Sequence, residues 1–386
     1  MPLTVNELTK ERQLVLLCSR GVLKDEHIED IKEILSDRLD WKEILYQGIT
    51  HRTLNMMYYH LDRLGLTHKI EEEVLKAMKS QSKAYAVRNK VYFGEIKKIF
   101  EILNSKGVRA AILKGNFLSA NVYPSIETRT FNDIDLLMDL KDEKVICQTL
   151  EELGYVQGQY NEVTKEIIPV TRKQKMFHLM STGELQVFLK KMDNPFAPLA
   201  EVDLNYNILW KGHCPYRIDT AGLLERAVEA DLDGGKIYTL NYEDFLIQLA
   251  FHLYKEAVNL LWISDLRDLK IYKFVDVAIF VEKFTDQIDW DKLVKFSIDN
   301  DCSKIPYYTF YYVNLMYGDV IPQAVMKALE PDNKDYLDEY GIDGEKPSKW
   351  KFDFFTRLFE TSRVLELSDD AMLTKNKFIE KKNKVM

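Results

Sequence analysis

Two aspartates separated by one residue, Asp133 and Asp135 in the run NDIDLLMD, are the residues of this sequence best suited to chemistry. The run predicts a buried strand, and alternate residues of a strand point to the same face, so the two carboxylates should project together. Adjacent carboxylates at the start of an apolar strand repel each other unless a cation lies between them. Mg²⁺ (or Mn²⁺) takes oxygen ligands and usually keeps phosphates and waters in its shell. The pair therefore predicts a site for a divalent metal ion with a nucleoside triphosphate.

A third carboxylate, Asp203 in the run EVDLN, lies on another predicted strand. Three such carboxylates can hold two divalent ions ~3.5–4 Å apart, an arrangement that stabilises the attacking and leaving oxygens of phosphoryl transfer. In this interpretation Asp133 and Asp135 bridge both ions. Asp203 binds the ion that activates the acceptor and is the candidate base. All three residues are thus predicted to be catalytic and metal-binding.

The triphosphate has its own candidates upstream, where a predicted strand meets a helix at Lys114, Gly115 and Asn116. A glycine lets the backbone approach a ligand, and a helix N-terminus offers free N–H groups to phosphate. The lysine adds a point charge. Arg129, four residues before Asp133, is predicted to reach the same anions. These four residues are the predicted nucleotide-binding set.

Structural alternatives exist for each candidate. An isolated pair of aspartates is often a solvated turn, Lys114 alone would be an ordinary surface lysine, and Arg129 alternatively pairs with Asp133 or Glu127.

The chain contains no P-loop, dinucleotide-binding glycine motif, nucleophile elbow, HExxH or zinc-type Cys/His cluster, which disfavours those enzyme classes.

The elements that must position these residues follow from hydrophobic periodicity. Residues 5–104 predict helices, and from 107 the chain alternates strand, helix, strand and helix up to 154. Residues 176–191 predict a hairpin around Thr182-Gly183, and 199–208 predict another strand. From 241 onward the pattern is helical again. The expected organisation is a helical region at 1–90, a mixed α/β core at 91–235 and a helical region at 236–386.

Composition favours a globular protein of two or three domains. The chain has 386 residues, 46% of them hydrophobic, and a net charge of −8, which disfavours nucleic acid as a partner. Four scattered cysteines without a CxxC motif indicate a reducing compartment. The N-terminus does not resemble a signal peptide, and no apolar run is long enough to cross a membrane. We therefore expect a cytoplasmic location and no membrane partner.

The run LKGNFLSANVYPSIETRTFNDIDLLMD resembles the uncharacterised nucleotidyltransferase family of the DNA polymerase beta-like superfamily. The residues that carry the resemblance are Leu113-Lys114-Gly115, Tyr123-Pro124, Arg129 and Asp133-Ile134-Asp135-Leu136-Leu137. Weaker matches are Val202-Asp203-Leu204, His252, Trp262, Asp265 and Asp276, so that residues 91–285 are covered. The sequence departs from the superfamily at Asn116, where serine usually follows the glycine, and at Asn205, where histidine is expected.

The resemblance implies an α+β (mixed α/β) fold, with a small nucleotidyltransferase core around a mixed sheet and helical regions at both ends. It also implies transfer of a nucleoside monophosphate from an NTP to a small-molecule or peptide acceptor, with release of pyrophosphate. Two alternatives stay open. One is nucleotidylation of a protein or of RNA ends, as in toxin-like relatives. The other is a nucleotide-binding module that has lost catalysis.

Overall fold

The structure, a computed structural model, describes residues 3–182, 185–208, 218–341 and 347–367. The chain forms two compact units. We call the described residues within 1–83, 127–129 and 249–367 the helical unit, and the described residues within 84–126 and 130–248 the sheet unit. Compact packing units do not establish independently folding domains, so the three-part division with boundaries after residues 90 and 235 stays a prediction.

Helices make up most of the helical unit and flank the sheet in the other. In chain order the α-helices are α1 (Lys10–Leu17), α2 (Asp25–Ile34), α3 (Trp41–Thr50), α4 (Leu54–Arg63), α5 (Glu72–Ser105), α6 (Lys114–Asn121), α7 (Glu143–Glu152), α8 (Arg172–Thr182), α9 (Thr220–Glu225), α10 (Tyr242–Val258), α11 (Leu260–Ser264), α12 (Ile271–Phe284), α13 (Trp290–Asp299), α14 (Lys304–Tyr317), α15 (Gln323–Leu329) and α16 (Phe354–Phe359).

The strands are β1 (Ala110–Ile112), β2 (Ile134–Met138), β3 (Val156–Asn161), β4 (Glu166–Pro169), β5 (Phe188–Lys191), β6 (Leu199–Asn205), β7 (Val228–Leu232), β8 (Gly235–Thr239), β9 (Glu339–Tyr340) and β10 (Ser348–Lys349). Within the described residues, β1 to β8 form one mixed sheet in the order β4-β3-β5-β6-β2-β1-β8-β7, and β9 pairs with β10 in the helical unit. The expected mixed α/β class with flanking helices is confirmed.

The centre of the sheet is a parallel pair, β2 with β6, and β1 runs antiparallel to β2 on its other side. All five residues of β2 are buried, as expected for an apolar strand covered on both faces. In β6 buried and partly exposed residues alternate, so one of its faces is more open than the other. The site residues carried by these two strands therefore lie in the middle of the sheet.

One long helix, α5, packs beside this sheet. Its residues Phe93, Ile96, Phe100 and Leu103 recur at helical spacing and are each at most 1% exposed. The helix ends at Ser105, after which Gly107 takes a positive φ of 67° and the Val108 N–H donates to the Leu103 carbonyl, as in a glycine C-cap. The N-terminal helical prediction is thus confirmed over 72–105 as a single helix.

The predicted hairpin at 176–191 is wrong. The structure has helix α8 at Arg172–Thr182 and a strand at Phe188–Lys191, and Gly183 of the predicted turn lies outside the described residues. The helix begins with a reciprocal cap, in which the Gln174 N–H donates to the Thr171 hydroxyl while the Gln174 side chain accepts from the Thr171 N–H at 2.8 Å. This Thr-x-x-Gln capping box was readable from the sequence, and it outweighs the short apolar alternation that favoured a strand.

The sheet also contains strands that the sequence did not predict. β7 and β8 form a hairpin whose turn is Asp233-Gly234, both with positive φ (51° and 79°). Asp-Gly is a favoured pair for such a tight turn. The strands were missed because their residues are largely polar or partly exposed.

Cys18, Cys147 and Cys302 are free thiols, and Cys214 lies outside the described residues.

Over the described part of the chain, none of the helices combines the length and the apolar character needed to cross a membrane.

Candidate active site

The three predicted carboxylates, which we call the carboxylate cluster (Asp133, Asp135 and Asp203), all lie in the sheet unit. Asp135 of β2 is the direct register partner of Asp203 of β6. Matched positions of neighbouring strands place their side chains on the same face of the sheet. Asp133 immediately precedes β2, two residues before Asp135. Sheet pairing therefore brings together residues that are far apart in the sequence.

Burial differs across the carboxylate cluster. Asp135 is only 4% exposed, whereas Asp133 and Asp203 are partly exposed. Burial together with the charges of Asp135, Asp133 and Glu201 raises the pKa of Asp203 well above its ordinary value. A carboxyl group in this position is disposed to hold a proton, as a group that accepts one during a reaction must be. Glu201, two residues before Asp203 on β6, was not singled out from the sequence.

Lys114 places a positive charge beside the carboxylate cluster. Its Nζ atom lies 2.7 Å from Oδ1 of Asp135, and its side chain is 22% exposed. Burial alone would lower the pKa of Lys114, but the charges of Asp135, Asp133 and Asp203 and the hydrogen bond to Asp135 raise it above its usual range. The ammonium group is therefore held in its charged form by the carboxylates.

The backbone at Lys114 is unusual as well. The residue has a φ of 51°, in the left-handed region that non-glycine residues rarely adopt. Strain of this kind persists where the surrounding structure fixes the residue, and it concentrates at functional sites. Next to it, the N–H of Leu113 donates to the Asp135 carbonyl at 3.0 Å, which ties the start of α6 to β2.

The N-terminus of α6 supplies the other predicted phosphate-binding groups. The helix starts at Lys114 and has no side-chain cap at that end, so its first N–H groups are suited to an anion. Gly115 and Asn116 are both buried in its first turn. The Asn116 side chain donates to the Asp133 carbonyl at 3.1 Å. This contact makes Asn116 a positioning residue for the carboxylate cluster, and its nucleotide-binding role stays a prediction.

Two residues of α5 that the sequence analysis overlooked also position the site. The Tyr92 hydroxyl lies 2.8 Å from the carbonyl oxygen of Asn132 and 3.0 Å from that of Leu199, so it joins the residue before Asp133 to the start of β6. Arg88 donates to the Asn132 side chain at 2.9 Å. An arginine and a tyrosine four residues apart on one helix face were the available signal.

The donor set suits a hard divalent cation, because it consists of carboxylate oxygens that burial and mutual repulsion leave in need of positive charge. In this structure Lys114 supplies that charge to Asp135. Across the described ranges, no group of three or more His, Cys, Asp or Glu side chains is arranged to hold a metal ion. The carboxylate oxygens therefore fit Mg²⁺ by their chemical type, but their arrangement is not that of a three-ligand site. The metal site with three carboxylate ligands stays a prediction.

Arg129 contacts a carboxylate outside the cluster, and its predicted nucleotide-binding role stays a prediction. It belongs to the helical unit, where its Nε and Nη2 atoms each lie 2.6 Å from an oxygen of Asp276. Both side chains are about 5–6% exposed, and the Arg129 guanidinium stacks 4.4 Å from the ring centroid of Tyr272. A buried bidentate pair of this kind is a structural contact. Asp276 is a partner that the structural alternatives, Asp133 and Glu127, did not include.

The other helical residues of the resemblance have separate surroundings in the helical unit. The Nε2 atom of His252 lies 3.6 Å from Glu256, one helical turn away on α10. The Trp262 ring lies 4.4 Å from the guanidinium carbon of Arg267. Asp265 follows α11 on the surface. His252, Trp262 and Asp265 therefore have separate surroundings and do not form one cluster through the contacts described.

A family model described as "uncharacterised nucleotidyltransferase" matches residues 37–318. The chain belongs to this nucleotidyltransferase family. The match includes every residue of the carboxylate cluster as well as Lys114.

A crystal structure of an antigenic nucleotidyltransferase-like protein from Paracoccidioides brasiliensis is also similar, with 13% sequence identity over 62% of this chain and 97% of that chain. Its TM-score of 0.28 is too low to define a shared fold. No curated protein gives a significant match.

Proposed function

We propose that this protein is a Mg²⁺-dependent nucleotidyltransferase, which moves a nucleoside monophosphate from an NTP to a small-molecule or peptide acceptor and releases pyrophosphate. Family membership supports nucleotidyl transfer in general. The observation that carries the finer proposal is the register pairing of Asp135 with Asp203 beside the ammonium group of Lys114. Carboxylates and a cation at one point of a sheet match the needs of a metal–triphosphate ligand.

In this proposal Asp133, Asp135 and Asp203 would hold Mg²⁺ (or Mn²⁺). The bound metal would supply positive charge to the triphosphate oxygens, which lowers the barrier to attack on phosphorus. Asp203, a partly exposed carboxylate of the cluster, accepts the proton of the acceptor group. Asn116 and Tyr92 position the cluster through the backbone on either side of Asp133.

The triphosphate is bound by Lys114 and the N–H groups at the start of α6, including that of Gly115. Arg129 is left out of the mechanism because Asp276 already takes its guanidinium. The chemistry that remains for these residues is orientation and charge neutralisation, the two main contributions to catalysis of phosphoryl transfer.

The test is pyrophosphate release from each NTP with Mg²⁺ and pools of candidate acceptors. We expect Asp135→Asn and Asp203→Asn each to lower the rate by about 10²-fold or more, since each removes a charged group that acts in the reaction. Asp139→Asn is the matched control, because Asp139 lies just past the other end of β2 and is hydrogen-bonded to Lys141. An Asp135→Asn protein as active as the parent would refute the mechanism.

One observation favours a second candidate function, a nucleotide-binding module without turnover. The Lys114 ammonium already neutralises Asp135 in this structure, so nucleotide binding could proceed without metal-assisted transfer. Calorimetry that detects NTP binding equally with and without Mg²⁺, with no pyrophosphate released on any acceptor, would support it. Labelled nucleotide incorporated into a protein or RNA band would instead support transfer to a macromolecule.

A further inference from the structure

A cavity of about 330 Å³ lies within the helical unit, and it is lined by positively charged side chains. Its walls come from α3, from the segment 265–270 and from the segment 358–363. We call it the cationic cavity. The cations that line it are Arg52, Arg267, Lys270 and Arg363, and Asp265 is the only carboxylate in its described lining.

One of these cations has a fixed partner. Arg363 forms a buried bidentate pair with Asp268, with Nη2 2.6 Å and Nε 3.1 Å from the two carboxylate oxygens. Arg52, Arg267 and Lys270 form no ion pair with any carboxylate among residues 3–182, 185–208, 218–341 and 347–367. The cationic cavity thus gathers three positive charges without matching acids, an arrangement that an anion would stabilise.

The two arginines are held with their hydrogen-bonding edges available. The Arg52 guanidinium lies 5.1 Å from the ring centroid of Tyr272, and that of Arg267 lies 4.4 Å from the ring of Trp262. Stacking uses the face of the guanidinium and leaves its N–H edge for a ligand. Neither ring belongs to the lining of the cavity. Such pre-positioned arginines suit bidentate contacts to phosphate.

Lys270 adds a further feature, because it is the N-cap residue of α12. Cations are disfavoured at this positive end of a helix, yet α12 has no acidic residue in its first turn and no side-chain cap. Burial, the charge of Arg363 and the charge of Lys273 lower the pKa of Lys270 to about 8. An anion in the cationic cavity would complement both the lysine and the helix dipole.

We propose that the cationic cavity is a binding site for the phosphate groups of a small phosphorylated molecule. Two stacked arginines and a lysine at a helix N-terminus match an oxyanion that carries two or more negative charges. The volume suits a small ligand, and apolar side chains such as Leu269 and Phe359 in the lining suit its organic part. The site is independent of the proposed transfer reaction, since its lining contains no residue of the sheet unit.

Calorimetry with inorganic pyrophosphate as the probe, in the absence of divalent metal, tests this site. We expect one binding event, weakened about tenfold by Arg267→Gln and by Lys270→Gln, because each removes a charge-assisted hydrogen bond. Arg63→Gln is the matched control, since Arg63 stacks on Tyr59 in the same unit but does not line the cavity. Arg267 is exposed, so its variant should fold even if the Lys270 variant does not.

Further arms separate this site from the carboxylate cluster and identify the source of the phosphate. Asp139→Asn, the control outside the carboxylate cluster, should leave pyrophosphate binding unchanged. Binding that Lys114→Gln weakens and Arg267→Gln does not would belong to the proposed nucleotide site. Titrations with inorganic phosphate, pyrophosphate and a nucleoside monophosphate distinguish a free oxyanion from an esterified one, and tighter binding of any of them than of sulfate supports the proposal. Absence of binding at millimolar concentration, loss of binding only in Lys114→Gln, or binding of an oligonucleotide alone would overturn it.

Discussion

Buried charge is handled differently in the two units. In the helical unit, the buried carboxylates of Asp276 and Asp268 each have an arginine in bidentate contact, Arg129 and Arg363 respectively. In the sheet unit, the charges of all three carboxylates of the cluster act on the ammonium group of Lys114, which lies 2.7 Å from one of them. Matched pairs give each buried charge a partner, and removing one member is costly because it leaves the other charge buried and unpaired. A surplus of one sign at the middle of a sheet indicates a place where a ligand supplies the balance.

The strongest test of this comparison breaks one of the matched pairs. Asp276→Ala leaves the Arg129 guanidinium buried without its carboxylate, and we expect the free energy of unfolding to fall by about 3–5 kcal/mol. Urea denaturation measures the change. Asp135→Asn is the contrasting variant, and it should cost much less because Lys114 is 22% exposed and retains its other carboxylate neighbours. Equal losses in the two variants would remove the distinction between the units.

A smaller effect is expected from the tyrosine that joins the two strands of the site. Tyr92→Phe removes the hydroxyl that contacts the carbonyls of Asn132 and Leu199, and losing these partly buried hydrogen bonds should cost about 1 kcal/mol. The same denaturation experiment measures it, with Tyr85→Phe as the control on the same helix. A loss no larger than that of the control would show that the hydroxyl does not position the strands.

The smallest effect concerns pH. Because the pKa of Asp203 is raised above its ordinary value of 3.8, the folded protein binds this proton at pH values where the unfolded chain has released it. The contribution of Asp203 to the free energy of unfolding is therefore lowest above the raised pKa, and it increases as the pH falls toward 3.8. Asp203→Asn should abolish this slope and be more stable than the parent at neutral pH.

Asp139 provides a control because its pKa is shifted in the opposite direction to that of Asp203. Hydrogen bonds from the Lys141 backbone and side chain lower its pKa, so its contribution is present above 3.8 and is lost as the pH falls through the lowered value. Denaturation midpoints across a pH series measure both residues. Identical pH profiles for Asp203→Asn and the parent would contradict the account of the carboxylate cluster.

The sequence predicted the local parts of the site well, because strand periodicity depends only on neighbouring residues. It placed Asp133 and Asp135 at the start of a buried strand and Asp203 on another, and the structure has both strands. It did not predict that Asp135 and Asp203 are register partners or that Lys114 contacts Asp135. Those contacts depend on strand order, which a single sequence does not specify.

Long-range partners were likewise hidden. Arg129 precedes Asp133 by only four residues, so proximity in the sequence favoured a role beside the metal site, whereas its partner Asp276 lies on α12. The wrong hairpin has a local cause, since the capping box at Thr171 was present but was not weighed. The contact of Arg129 with a residue distant in the sequence was therefore not predictable from its neighbours. The hairpin was predicted wrongly because a helix signal was overlooked.

The left-handed backbone at Lys114 has a consequence for substitution at this position. Glycine adopts this conformation without the roughly 1–2 kcal/mol penalty of a side-chain-bearing residue. Glycine at position 114 would remove this penalty, but it would also remove the ammonium group beside the buried carboxylate of Asp135, so the two effects on stability oppose each other.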